Sequence, residues 1–170
     1  MQTTTVKLYS LEYNEAKTYL AAALFLAGNL ALPQLCHLVH LGGPTLLPIY
    51  FFTLVGTYKY GWQAGLLTAL LSPLANWALF GMPAAAVLPV IVFKSVLLAL
   101  VAAWAAARFR RAGVLLLAGV VLCYQFLGTL GEWAYWGDLR TAAQDFRIGL
   151  PGMLLQIFGG WAVINLLIRR

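Results

Sequence analysis

The sequence predicts an all-α membrane protein: one domain of six transmembrane helices with both termini in the cytoplasm. Three observations predict it. The first is composition. Of 170 residues, 62% are hydrophobic and 9% are charged, and mean hydropathy is +0.84. A soluble domain carries about a quarter charged residues. One aqueous core cannot hide this much apolar surface, so the bilayer must be the solvent. The second is the succession of apolar runs, each broken by proline, glycine or charge. The third is where the basic residues fall. With both termini inside, the inner side collects Lys7, Lys17, Lys59, Arg108, Arg110, Arg111, Arg169 and Arg170. The outer side collects Arg140 and Arg147, and Lys94 lies within a span. Eight against two is the bias of the positive-inside rule, and it requires an even number of spans.

Taken in order, residues 1–15 read as a polar tail, with Leu8, Leu11 and Tyr13 suited to an interfacial turn. No apolar run precedes the first span, so a cleavable signal is not expected and that span serves as the insertion signal. Asn14 is a suitable N-cap, with Glu15 in the first turn. The domain proper is 16–170. The first span covers about 16–32 and stops near Pro33, followed by loop 33–43. The second, about 44–58, is short and is bent by Pro48. The third covers about 61–80, with Ser72, Pro73 and Asn76 in its outer half. Gly81-Met82-Pro83 makes a tight turn. The fourth covers about 84–107 and ends at Arg108-Phe109-Arg110-Arg111. The fifth covers about 112–131, a longer loop 132–147 follows, and the sixth covers about 148–168.

Several function classes are disfavoured. Basic residues are single or paired near span ends, which does not suit nucleic acid. There is no P-loop, so the chain does not hydrolyse ATP by itself. HExxH, GxSxG and paired-aspartate motifs are absent, and no enzyme activity or cofactor is expected. Cys36 and Cys123 have no metal spacing, and their expected depths do not suit a disulfide.

Lys94 is the most informative charge. Placed about ten residues into a span, it sits near the membrane middle, where an ammonium needs a polar cavity or a partner. Glu132, Asp138 and Asp145 are candidate partners, and an anionic ligand group is the alternative. Polar and aromatic residues gather toward the same outer half: Tyr50, Asn76, Trp77, Tyr124, Gln125, Glu132, Trp133, Trp136 and Gln156. Trp and Tyr also form interfacial belts. Among them Trp77, Lys94, Tyr124, Gln125, Glu132, Trp133 and Trp136 are the expected ligand-binding set. They would form a pocket with aromatic walls and a few hydrogen-bonding groups. Ala23, Ala27 and Ala31 recur every fourth residue on one helix face, suited to close packing within the bundle or against another membrane subunit. His37 and His40, beside Cys36 and with Met82 on the same side, offer a second site. That pair suits a soft metal, a haem or a corrinoid, but is too few ligands alone.

Nearly the whole chain resembles the substrate-binding S component of energy-coupling factor (ECF) vitamin transporters. The resemblance rests on size, six spans with both ends inside, Ala23 and Ala27 of the first helix, and the long first outer loop. It rests also on Gly43-Pro-Thr-Leu-Leu-Pro-Ile-Tyr50 followed by Tyr60-Gly-Trp-Gln-Ala-Gly-Leu-Leu67. It implies a subunit of an ABC-type importer in the cell (plasma or inner) membrane. That subunit binds a water-soluble vitamin or precursor near the outer side and tilts within the bilayer to carry it across. It implies gating by the first outer loop, with His37 and His40, and by the loop carrying Met82. It implies docking of the Ala23 and Ala27 face onto a transmembrane coupling subunit driven by two ATPases. Gln2 departs from the Met-His start of the cobalt and nickel branch. Met82 stands in a loop where a cobalamin-binding branch has cysteine. Competing expectations are a metal, haem or corrinoid handling protein centred on His37 and His40, and an assembly subunit without a ligand.

Overall fold

The computed structural model describes residues 11–38 and 42–168. Within them the chain is an all-α membrane protein, and four helices are long and apolar enough to cross a bilayer: Ala16–Cys36, Leu88–Phe109, Val114–Trp136 and Leu150–Leu167. Leu8 and His40 lie outside the described residues.

Helix α1 (Ala16–Cys36) runs past Pro33, where the sequence reading ends it. The proline removes the amide that would reach the Asn29 carbonyl one turn back. That carbonyl accepts instead from Asn76 Nδ2 at 2.9 Å, so the helix continues without an orphaned acceptor. Glu15, not Asn14, is the N-cap residue, and its side chain makes no capping bond. Residues 11–13 are tied down. The Leu11 amide donates to the Tyr60 carbonyl at 3.3 Å, and Tyr13 meets Trp62 edge-to-face at 5.6 Å.

The second predicted span is broken into three pieces. These are α2 (Gly42–Leu46), a 3-10 turn (Pro48–Tyr50) and α3 (Phe51–Tyr60). The break falls at Leu47, whose φ is 47°, because a residue before proline is pushed out of the right-handed helical region. Gly61, at φ 99°, then turns the chain into α4 (Trp62–Phe80), a conformation that favours glycine. Gln63, Thr68, Ser72 and Asn76 of α4 are buried against the rest of the protein.

After the 81–87 turn come α5 (Leu88–Phe109) and α6 (Val114–Trp136). Pro89 falls in the first turn of α5, where a missing amide is harmless. Helix α6 extends one turn beyond the predicted 131, because nothing stops it before Gly137, which caps it at φ 71°. Glu132, Trp133 and Trp136 therefore lie on a helix and not in a loop. The remainder of the predicted loop folds into α7 (Leu139–Ala142) and α8 (Gln144–Arg147). The last segment is α9 (Leu150–Leu154), a π turn (Leu155–Gly159) and α10 (Gly160–Ile168).

Helix α3 is the centre of the bundle, against α1, α4, α5 and α10. Leu54, Val55 and Tyr58 of α3, Leu98 of α5, Leu117 and Val121 of α6 and Ile164 of α10 are fully buried. The Tyr58 hydroxyl donates to the Arg111 carbonyl and ties α3 to the α5–α6 turn. Helices α2 and α9 meet where Gly152 faces Leu46; a Cβ there would stand 2.9 Å from the Leu47 backbone nitrogen and closer still to Leu46. Backbone cannot move aside as a side-chain tip can. Gly152→Ala is therefore expected to destabilise by about 2 kcal/mol, the range of overpacking substitutions. Thermal unfolding in detergent checks this, and an unchanged midpoint would refute the close approach.

Candidate polar ligand site

One end of the bundle gathers the polar interior. It is built from the C-terminal ends of α4 and α6, the start of α5, the Pro48–Tyr50 turn, α8 and the π turn. Lys94 is the hub. It is 3% exposed, and its ammonium donates to Glu132 of α6 and, at 2.9 Å, to Asp145 of α8. The aliphatic stem of Lys94 lies on Gly128, where a Cβ would stand 2.8 Å from its Cγ. Glycine is needed here for close approach. Glu132 falls in the last turn of α6, where the helix dipole disfavours a carboxylate, and the ammonium offsets that. Lys94 lies nearer the start of its helix than the sequence reading places it. Helix α5 begins at Leu88 and not near 84, so Lys94 is six residues in, roughly 9 Å along the axis.

Asp138 is the candidate partner that does not reach Lys94. It caps α7, accepting from the Arg140 amide at 3.1 Å and the Thr141 amide at 3.0 Å, and from the Thr141 hydroxyl. The Thr141 hydroxyl first, and then these amides, hold its carboxyl below the usual carboxylate range.

Below the ion cluster lies a layer of buried polar groups with few partners. Tyr124 donates to Gln156 Oε1 at 2.9 Å, and its ring meets Tyr50 at 5.7 Å between centroids. Tyr50 is within Coulombic range of Asp145, Tyr124 and Glu132. Gln156 sits in the π turn, a distortion that often re-aims a functional side chain. Among the described residues its Nε2 has no partner. Neither do Ser95 Oγ, Thr129 Oγ1 or either end of the Gln125 amide, although all are buried. Gln125, Gly128, Thr129 and Glu132 follow one another on one face of α6 at helical spacing. An unmet buried polar group costs about 1–3 kcal/mol, so this many in one layer is out of balance without something to bond.

Of the predicted binding set, the structure brings together Lys94, Tyr124 and Glu132 and buries Gln125. It leaves Trp77, Trp133 and Trp136 between 39% and 47% exposed. Trp77 and Trp133 each follow an inward polar residue, Asn76 and Glu132, and one step along a helix turns about 100° away. Outward tryptophans near helix ends suit an interfacial belt. Asp145, Tyr50 and Gln156 join the site, and so do Ser95 and Thr129, which sequence reasoning missed. Spacing signals Thr129, four residues from Gln125; nothing in the sequence separates Ser95 from an ordinary serine.

The other candidates are apart from this layer. His37 and Met82 are exposed, with the His37 ring over Gly43. Among the described residues no three His, Cys, Asp or Glu come together to hold a metal. Ala23, Ala27 and Ala31 are exposed on α1, so this face does not pack within the bundle. No family model, curated protein or solved structure matches the chain.

Proposed function

We propose that this chain is the substrate-binding membrane subunit of an ECF-type importer, capturing a water-soluble vitamin or vitamin precursor. The observation that carries this reading is the buried layer of Ser95, Gln125, Thr129 and Gln156 with unmet hydrogen-bonding atoms, walled by Tyr50 and Tyr124. Hydroxyls and amides beside aromatic faces suit a small, planar, polar molecule. Such a site has no use in a ligand-free assembly subunit.

The wider architecture agrees. The reading takes segment 42–60 and the 19-residue α4 as two further spans beside the four long helices. With six spans, the positive-inside rule supports cytoplasmic termini and a polar site facing outward. On this reading the gate is made by the turns around 42–47, 81–87 and 137–149. Asp145 belongs to the last of these. Its bond to Lys94 closes the gate, and ligand access requires that bond to open.

The test is thermal stability of the purified protein against B vitamins, their precursors, cobalamins and haem. A ligand at a hundredfold excess over its dissociation constant stabilises by about 2.7 kcal/mol. One hit is expected, and Gln125→Leu is expected to abolish its shift while the protein remains folded. A flat panel speaks for the assembly subunit, and a hit for haem or cobalamin that needs His37 speaks for the metal-handling reading.

The outward face of Ala23, Ala27 and Ala31 suits close docking of a coupling subunit, which two ATPases would drive. Ala27→Trp is expected to prevent co-purification of that subunit and leave the ligand shift intact. Unchanged co-purification would remove the face from the interface.

A further inference from the structure

A large concavity lies away from the polar site, on the outward side of α5, α6 and α10. It is a groove of about 1760 Å³, beyond the roughly 300–1,000 Å³ of small-molecule pockets. Its floor is made low by Ala118, Gly119 and Ala162, and nothing stands within 4 Å of where a Gly119 Cβ would be. Trp104 and Trp161, 63% and 41% exposed, help to line it. Along α6 the groove runs from Val114 to Cys123. That is a rise of nine residues, or roughly 14 Å of helix axis, about one leaflet of a hydrocarbon core roughly 30 Å thick.

Its mouth is basic. Arg111 lines it, and Arg108 and Arg110 stand beside it, all three exposed. None has a carboxylate partner among the described residues. Arg110 holds a left-handed conformation, φ 49°, that ends α5 and keeps the three in one turn. A slot one leaflet deep, apolar along its length and cationic at one end, is complementary to a molecule with the reverse charge and the same apolarity.

We infer that this groove binds one anionic phospholipid, with its phosphate on Arg108, Arg110 and Arg111 and acyl chain along Ala118 and Gly119. Neighbouring arginines between membrane helices recognise anionic headgroups, and each adds roughly fivefold to affinity. A free phosphate would use the arginines but leave the apolar slot empty. The inference is independent of any substrate at the Lys94 end.

The experiment titrates phosphatidylglycerol, and separately phosphatidylcholine, into the full detergent-purified chain and follows bound lipid by native mass spectrometry. Two variants accompany it. Arg108→Gln/Arg110→Gln/Arg111→Gln removes the charge, and Gly119→Leu fills the slot while improving helix propensity in open space. One phosphatidylglycerol is expected to be retained in preference to phosphatidylcholine, with retention reduced tenfold or more in both variants. Three results would overturn the inference: equal retention of both lipids, retention unchanged by Gly119→Leu, or retention unchanged by the arginine variant. Thermal unfolding of each variant confirms that it is folded.

Discussion

Lys94→Met is expected to destabilise the protein by about 3 kcal/mol. The methionine keeps the stem packed on Gly128 but removes the ammonium. Glu132 and Asp145, now without a cation between them, repel each other in a mostly buried setting. Breaking a buried pair from one side costs about 3–5 kcal/mol. The lower figure applies here because the carboxylates retain 13% and 17% exposure. At this chain length the melting temperature is expected to fall by about 6–12 °C. The triple variant Lys94→Met/Glu132→Gln/Asp145→Asn removes the repulsion as well and is expected to recover most of the loss. Thermal unfolding of both variants checks this. A single variant that melts with the wild type would show that the ion cluster contributes nothing.

Asn29→Leu is expected to have a comparable effect, about 3 kcal/mol, from the other side of α3. Asn29 is fully buried. Its Nδ2 donates to Thr53 Oγ1 and Ser72 Oγ, both at 3.0 Å, and its Oδ1 accepts from the Phe52 amide at 3.1 Å. Phe52 is in the first turn of α3, where amides lack acceptors within the helix. One side chain thus joins α1, α3 and α4 and completes the start of the central helix. Leucine strands three polar groups at about 1 kcal/mol or more each. If Asn29→Leu unfolds at the wild-type temperature, water must be replacing those bonds and the network is not structural.

These two residues also show how far the sequence reaches. Lys94 was legible because a lysine inside an apolar run has few uses, and its carboxylate partners are few in this chain. Asn29 was not legible, since an asparagine in a span does not say which helices it faces. Gln125 stood out as an amide in an apolar run, but Ser95 is too small to signal burial without a partner. Trp77, Trp133 and Trp136 looked like pocket walls because composition does not tell the inward face of a helix from the outward one.

The sequence by itself determined the solvent and the element type. Low charge and high hydropathy require a bilayer, and a bilayer requires that every backbone group be satisfied within helices. Turn chemistry determined most breaks too: Pro48, Gly61, Gly81 and Gly137 each sit where a helix stops or restarts. Only the tertiary structure decided which breakers do not break. Pro33 lies within α1 because Asn76, forty-three positions later in the chain, supplies the donor the proline lacks. Only the tertiary structure chose Glu132 and Asp145, not Asp138, for Lys94. That choice depends on α8 folding back over α5, a long-range packing event that no local pattern encodes.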